Sequence, residues 1–318
     1  MGSVRLISAL DGSLGDPPRH TQMRSSFGLF AIIFVLSAAT MAVASEPTVF
    51  KQISWNPQQI ETGSPCLFRV EMEDPLSALN GTWMAHSIRF FTASEPHVWY
   101  GLAGVDVEVR PGTYELELSA TLPNGNVIHT TRTLLVRSGK YKTVTLRVPD
   151  RFVEPDAETL RRIESEKEIK KNAFSHQTAG PEWSGSFRPP LQSTVTEVFG
   201  TRRTFNGKLA SIHRGLDYRA ATGSPVFATN SGEVVLARDL FYEGNCVIID
   251  HGQQFMTLYM HLSKLQVTEG QRVEKGQQLG LSGGTGRATG PHLHLAVRWQ
   301  GAYLDPAQLL ALPLPRIP

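Results

Sequence analysis

Apolar and polar residues alternate with period two through much of the first half of this 318-residue chain. Val105-Asp106-Val107-Glu108-Val109, Tyr114-Glu115-Leu116-Glu117-Leu118 and Val144-Thr145-Leu146-Arg147-Val148 each bring their apolar side chains to one face, because residues two apart on a strand share a face. Leu67-Phe68-Arg69-Val70-Glu71-Met72, beginning after Cys66, is a further strand. Pro111-Gly112 and Pro123-Asn124-Gly125-Asn126 supply turns between the runs. About 100 residues patterned in this way predict an immunoglobulin-like β-sandwich over 45–150. That segment holds no credible catalytic group. Its alternation does not choose among substrate binding, a partner contact, a cover over a neighbouring cleft and a plain spacer.

The period then changes. Residues 156–173 predict a charged helix, with Asp156 as N-cap, acids early, and Lys167, Lys170 and Lys171 late, as the helix dipole favours. Only Leu160, Ile163 and Ile169 offer sizeable apolar surface, so 151–182 is expected to be a mostly solvated connector and linker. Frequent glycines and short β-rich runs over 183–311 predict an antiparallel sheet with few helices, against which Trp183 can pack. Leu312-Pro313-Leu314-Pro315 marks an extended tail over 312–318. The chain as a whole is expected to be mainly β.

Charge and cysteine content narrow the class. With 31 Lys and Arg against 29 Asp and Glu, dispersed along the chain, there is no basic stripe of the kind that neutralises phosphates, so nucleic acid is excluded as the main partner. Cys66 and Cys246 fall in different predicted domains and make no disulfide framework. Cys246, within Cys246-Val247-Ile248-Ile249, reads as a small buried hydrophobe.

The candidate chemistry lies in His213-Arg214-Gly215-Leu216-Asp217, His261 and His292-Leu293-His294. His292 and His294 point to one side of a strand, and His213 and Asp217 share a face. Gly215 disfavours a helix between them, which leaves an extended or looped segment. Three of these side chains suffice to hold a metal and two remain for moving protons. His20, His86, His97, His129 and His176 have no partner at ligand spacing, and His251, between two apolar strands, reads as part of a hairpin turn. Gly283-Gly284-Thr285-Gly286 fits neither a dinucleotide nor a Walker motif and reads as a turn feeding the His-x-His strand.

In order and spacing these motifs, with Tyr259-Met260-His261-Leu262, Thr289-Gly290-Pro291-His292 and Gly223-Ser224-Pro225-Val226, make 183–306 resemble the lysostaphin-type (LytM-like) zinc metallopeptidases. The resemblance implies zinc held by His213, Asp217 and His294, with His261 and His292 catalytic beside it, in a groove along the sheet. It implies hydrolysis of peptide bonds in peptidoglycan stem or cross-bridge peptides by a zinc-activated water. Every ligand is present. The alternatives are a noncatalytic wall-binding activator of another hydrolase and a zinc protease acting on proteins; a protein regulator is left open. Arg203 and Asn206, in an Arg-x-x-Asn-Gly pattern, read equally well as substrate or metal-ligand contacts and as a surface turn on Asn206-Gly207.

A cell-wall substrate calls for export. Met23-Arg24, the uncharged apolar run 27–43 and Ala42-Val43-Ala44 predict a signal peptide over 23–44. Residues 1–22 carry two aspartates and a Pro-Pro pair ahead of it and read as a non-native or misassigned extension, with Met23 the initiator. Cleavage after Ala44 gives a periplasmic or extracellular protein. Without cleavage the same run, close to the roughly 17 residues that span a bilayer, gives an inner-membrane anchor; no other membrane contact is expected.

Overall fold

The computed structural model describes residues 49–146, 155–178, 180–205 and 209–317; the extension 1–22, the signal segment 23–44 and Asn206 lie outside the described residues. Among the described residues no helix is long and apolar enough to cross a membrane.

The N-terminal half forms two sheets. In spatial order one is Phe50–Asn56, Pro65–Met72, Val98–Gly104 and Phe91–Thr92; the other is Ile60–Glu61, Val127–Arg137, Gly112–Thr121, Ala78–Trp83 and His86–Arg89. Alternate residues, among them Phe68, Val70, Leu102, Leu116 and Leu118, are buried together between them. Trp83 is fully buried there and donates its indole N–H to the Gly104 carbonyl at 3.0 Å.

Two elements depart from their sequence pattern. Val105-Asp106-Val107-Glu108-Val109 is a turn rather than a strand: the Asp106 carboxylate accepts from the Glu108 N–H at 2.8 Å, and its carbonyl accepts from Val109 at 3.2 Å. An aspartate that hydrogen-bonds its own backbone two residues on competes with a ladder. Thr143–Leu146 is a strand, but it pairs in parallel with Arg202–Phe205, which in turn pairs with Leu209–Ile212. Its partners therefore come from beyond the helix.

The C-terminal half is built on one large, mostly antiparallel sheet in the order Val195–Glu197, Leu216–Arg219, His292–Trp299, Phe255–Leu265, Gly244–Asp250, Gly232–Leu240, Arg272–Val273. Both faces of its centre are covered. Val247, Ile249, Tyr259, Leu293 and Leu295 pack on one side, and Cys246, Ile248, Met256, Leu258 and Ala296 on the other. This explains the unbroken apolar run at 246–249. Cys66 and Cys246 are both buried free thiols whose pKa burial pushes up.

The two halves share a core. Phe255, Val297, Trp299 and Leu304 of the C-terminal sheet belong to the same apolar cluster as the sandwich interior, and residues 47–318 form one compact unit. A side chain on Gly104 would come within 2.3 Å of Leu304, so the backbone there approaches as closely as only glycine allows. Tyr303 donates its N–H to Asp106 and Asp305 donates its own to the Gly63 carbonyl, each at 2.7 Å. The tail expected over 312–318 is extended but not free. Leu312 and Leu314 are buried in that cluster, and Leu314 donates to the Ser186 hydroxyl at 3.1 Å.

The connecting helix, Ala157–Phe174, starts on Asp156, whose carboxylate accepts from Thr159 at 2.7 Å. Leu160 is exposed, as its charged pattern predicts, yet the helix is anchored rather than merely solvated. Glu166 is buried, accepting from Arg162 at 2.6 Å and from the Phe241 N–H at 2.8 Å, and Lys170 pairs with Glu243 at 2.6 Å. Apolar counting misses these contacts because the anchors are polar.

His251 is fully buried. Its Nδ1 lies 2.6 Å from the Ser231 carbonyl and its Nε2 2.7 Å from the Thr257 hydroxyl, which is itself 3.0 Å from the Tyr259 hydroxyl. Burial pushes its pKa down to about 4. The unfolded chain, with an ordinary histidine pKa near 6.5, therefore takes up a proton first as pH falls. Between about pH 6.5 and 4 this group withdraws on the order of 3 kcal/mol of stability, which is fully present only above that window. Denaturant titrations at pH 7 and pH 4.5 should show a steeper loss for the wild type than for His251→Gln. Equal losses would mean that His251 is not held neutral.

Candidate metal centre and active site

Strand register assembles the site. Asp217 on Leu216–Arg219 lies opposite His294 on His292–Trp299, and Met260, next to His261, lies opposite His294 on its other side. His213 enters from the link after Leu209–Ile212, in the non-helical segment expected around Gly215. A side chain on Gly215 would lie 2.3 Å from His294 Nε2, so this glycine also makes room for a ligand ring.

His213 Nε2, Asp217 Oδ1 and His294 Nδ1 form a triangle. Its edges are 3.0 Å from His213 to each partner and 2.7 Å from His294 to Asp217. All three residues are buried. His213 Nδ1 is 2.9 Å from the Val198 carbonyl and takes its proton there, leaving Nε2 as a bare lone pair. Burial alone would raise the Asp217 carboxyl, but the adjacent imidazoles of His213 and His294 hold it far below the usual carboxylate range. Burial likewise lowers His294, with Asp217 opposing.

This cluster fits zinc. Three buried donor atoms converge with at most one proton among them, an arrangement costly without a cation. Three ligand atoms each about 2.0 Å from a tetrahedral ion stand about 3.3 Å apart, a few tenths of an ångström beyond the edges seen here. Two imidazoles and one carboxylate also match the donor set of catalytic zinc sites, which keep a further position open.

His261 and His292 stand beside the ligands, with ring centroids 4.7 Å apart. Each is oriented by a carbonyl of the loop between Gln278–Ser282 and His292–Trp299: His261 Nδ1 is 2.8 Å from Thr285 O, and His292 Nδ1 is 2.8 Å from Gly290 O. Donation through Nδ1 leaves Nε2 of each ring for the cleft. His292 Nε2 is 3.9 Å from Asp217 Oδ1. Burial, followed by repulsion from His292 and His294, lowers His261 to about 3, so it is neutral near pH 7. Its backbone is left-handed, with φ 65°, an uncommon conformation for a residue with a side chain. The Glu243 carbonyl, accepting from its N–H at 2.9 Å, helps to hold it there.

Arg203 lies beside the cluster. It donates to Asp217 Oδ2 at 2.9 Å and grips Glu197 through Nε at 2.9 Å and through Nη2. It therefore restrains the Asp217 carboxylate and leaves Oδ1 to the cluster. The carbonyls of Thr285 and Gly290, and Glu197, escaped the sequence reading: backbone acceptors carry no residue signature, and a glycine-rich turn hides what its carbonyls face. Glu197, Tyr242, Met260, Arg287 and Tyr303 help wall a cleft of ≈ 300 Å³. Among the described residues of the sandwich none lines it. Glu108 instead pairs with Arg214, which follows His213 and lines the cleft.

Two substitutions test this support. Arg203→Gln should weaken zinc binding about 10- to 100-fold, the usual effect of losing a partner that orients a ligand. Gly215→Ala should weaken it too, by displacing His294. Competition against a chromophoric chelator measures both, and wild-type affinity in the two variants would contradict the assigned roles.

Residues 211–306 match the model of Peptidase family M23. The chain is 37% identical over 158 residues to peptidoglycan DD-endopeptidase ShyA of Vibrio cholerae serotype O1, covering 49% of this chain and 32% of that protein. It is 45% identical over 146 residues to ShyB of the same organism, covering 46% and 32%. It thus spans about a third of the length of these relatives. A crystal structure of a putative M23 peptidase from Pseudomonas aeruginosa aligns over 79% of this chain and 95% of that one, with TM-score 0.62 and 26% identity. The likeness to that structure extends well beyond 211–306, and through that segment the chain belongs to peptidase family M23, the lysostaphin-type metallopeptidases.

Proposed function

We propose that this protein is an exported zinc metalloendopeptidase that cuts peptide bonds in the stem or cross-bridge peptides of peptidoglycan. The observation that carries the reading is the convergence of His213 Nε2, Asp217 Oδ1 and His294 Nδ1 beside two further imidazoles turned into the same cleft. The peptidoglycan DD-endopeptidases to which the chain is similar support the choice of substrate, and the signal-like segment 23–44 supports export.

Held by His213, Asp217 and His294, zinc supplies Lewis acidity, which brings the pKa of a water toward about 7 and polarises a carbonyl. The chain's own residues do the rest. Arg203 and Val198 fix the ligand atoms before substrate arrives, so little reorganisation is left for the reaction. His261 and His292, each with Nδ1–H committed to a carbonyl, present Nε2 as a proton acceptor in the cleft. Once protonated, the same atom donates to a leaving amine or to a developing oxyanion, and positioned transfer of this kind contributes about 10²- to 10⁴-fold. The cleft runs along a sheet, a surface suited to an extended peptide.

Incubation of the mature protein with purified sacculi, with and without a chelator, tests the reading by the masses of the released fragments. New amino termini that vanish with chelator are expected. Release of intact stem peptides from sugar would mean an amidase, and no release would mean a noncatalytic role. His294→Ala and Asp217→Ala should lose both zinc and activity, whereas His292→Ala should lose activity and keep most of its metal.

A further inference from the structure

The strand that carries two of the site histidines runs on into a second cavity. His292, His294, Ala296 and Arg298 fall on one face of His292–Trp299. The first three line the cleft at the ligand cluster, whereas Arg298 lines a neighbouring cavity of ≈ 530 Å³ between the connecting helix and the sheet. Glu243, Met260 and Tyr303 wall both spaces, so the two adjoin. From His294 to Arg298 is four residues of strand, about 13 Å at the usual rise of about 3.3 Å per residue.

The second compartment is cationic. Lys167, Lys170 and Lys171 reach it from the helix and Arg298 from the sheet, against Glu243. The lysines have partners: Lys170 pairs with Glu243 at the boundary between the compartments, and Lys167 and Lys171 pair with Glu164 and Glu168 on the helix surface. Arg298 is different. Its guanidinium stacks over the Phe174 ring, 3.9 Å from the centroid, and among the described residues no acceptor is hydrogen-bonded to it. Burial lowers its pKa accordingly. A half-buried guanidinium facing an open cavity keeps its planar fork available, and that fork matches a carboxylate bidentately. Stacking on Phe174 holds that fork in place before a ligand arrives.

We propose that this compartment is a specificity subsite in which Arg298 clamps a carboxylate of the same extended peptide whose scissile bond lies at the His213, Asp217 and His294 cluster. The occupant rests on the peptidase reading above. A peptide running alongside the strand brings a backbone-terminal carboxylate to Arg298 about four residues from the cut bond, or a side-chain carboxylate from nearer. In both cases Arg298 reads an acid and Glu243, with Lys170, marks the passage between the compartments.

The test is binding, read by fluorescence anisotropy on the zinc-loaded protein. The probes are labelled alanine-rich octapeptides in which one Glu is moved along the chain, each matched to its Gln counterpart, with free and amidated C-termini. At one position of the acid the wild type should bind about tenfold or more tightly than to the matched neutral peptide. Dependence on the internal Glu assigns a side-chain acid, and dependence on the free terminus a C-terminal one. Arg298→Gln should erase the preference, and Arg298→Lys, which keeps the charge without the fork, should retain only part of it. No preference at any position in the wild type, which requires no variant to fold, would overturn the proposal, as would a preference that survives Arg298→Gln. Chelator-sensitive cleavage of purified sacculi is scored separately. Arg298-dependent binding without any cleavage would sink the peptidase reading and leave the subsite, and cleavage without acid preference would do the reverse.

Discussion

The antiparallel register that sets Asp217 opposite His294 is the constraint on which the site depends. Side chains directly across a ladder are held about 5 Å apart at their Cβ atoms by backbone hydrogen bonds, not by one another. Two groups that would otherwise be kept separate by desolvation and lone-pair repulsion are thereby locked together in the fold. Slipping the strand by one residue would turn both His292 and His294 to the core face and Leu293 to the cleft. The apolar residues between them, Leu293 and Leu295, are fully buried on the other face and prevent that slip. Packing of the core and placement of the ligands are the same event.

Much of the site was legible because strand periodicity is a strong signal. His292 and His294 share a face for the reason their spacing implies, Gly215 keeps its segment out of a helix, and His213 and Asp217 meet at that segment's two ends. The support around them was far less legible. Arg203 could be placed near the ligands only as one of two readings, and its contact with Asp217 depends on a long-range pairing that no local pattern encodes. The fold shows the same division. Most short strands follow their alternation, but Val105–Val109 alternates and is still a turn, because Asp106 offers its own backbone a local partner. The helix was expected from its N-cap and charges. Its attachment was not, since Glu166 and Lys170 fasten it through polar contacts whose partners lie some 75 residues away.

Among its described residues the sandwich adds none to the lining of the cleft, yet it touches two that do line it. Its turn at Asp106 and Glu108 meets Tyr303 and Arg214, two residues that also wall the site, and its interior continues into the C-terminal core. The polar contacts and the apolar seam at Gly104 and Leu304 together join the two halves.

Thr285 and Gly290, whose carbonyls orient His261 and His292, lie on a single loop. The orientation of both imidazoles therefore hangs on one segment of chain, whereas Asp217 and His294 take their places from strand pairing.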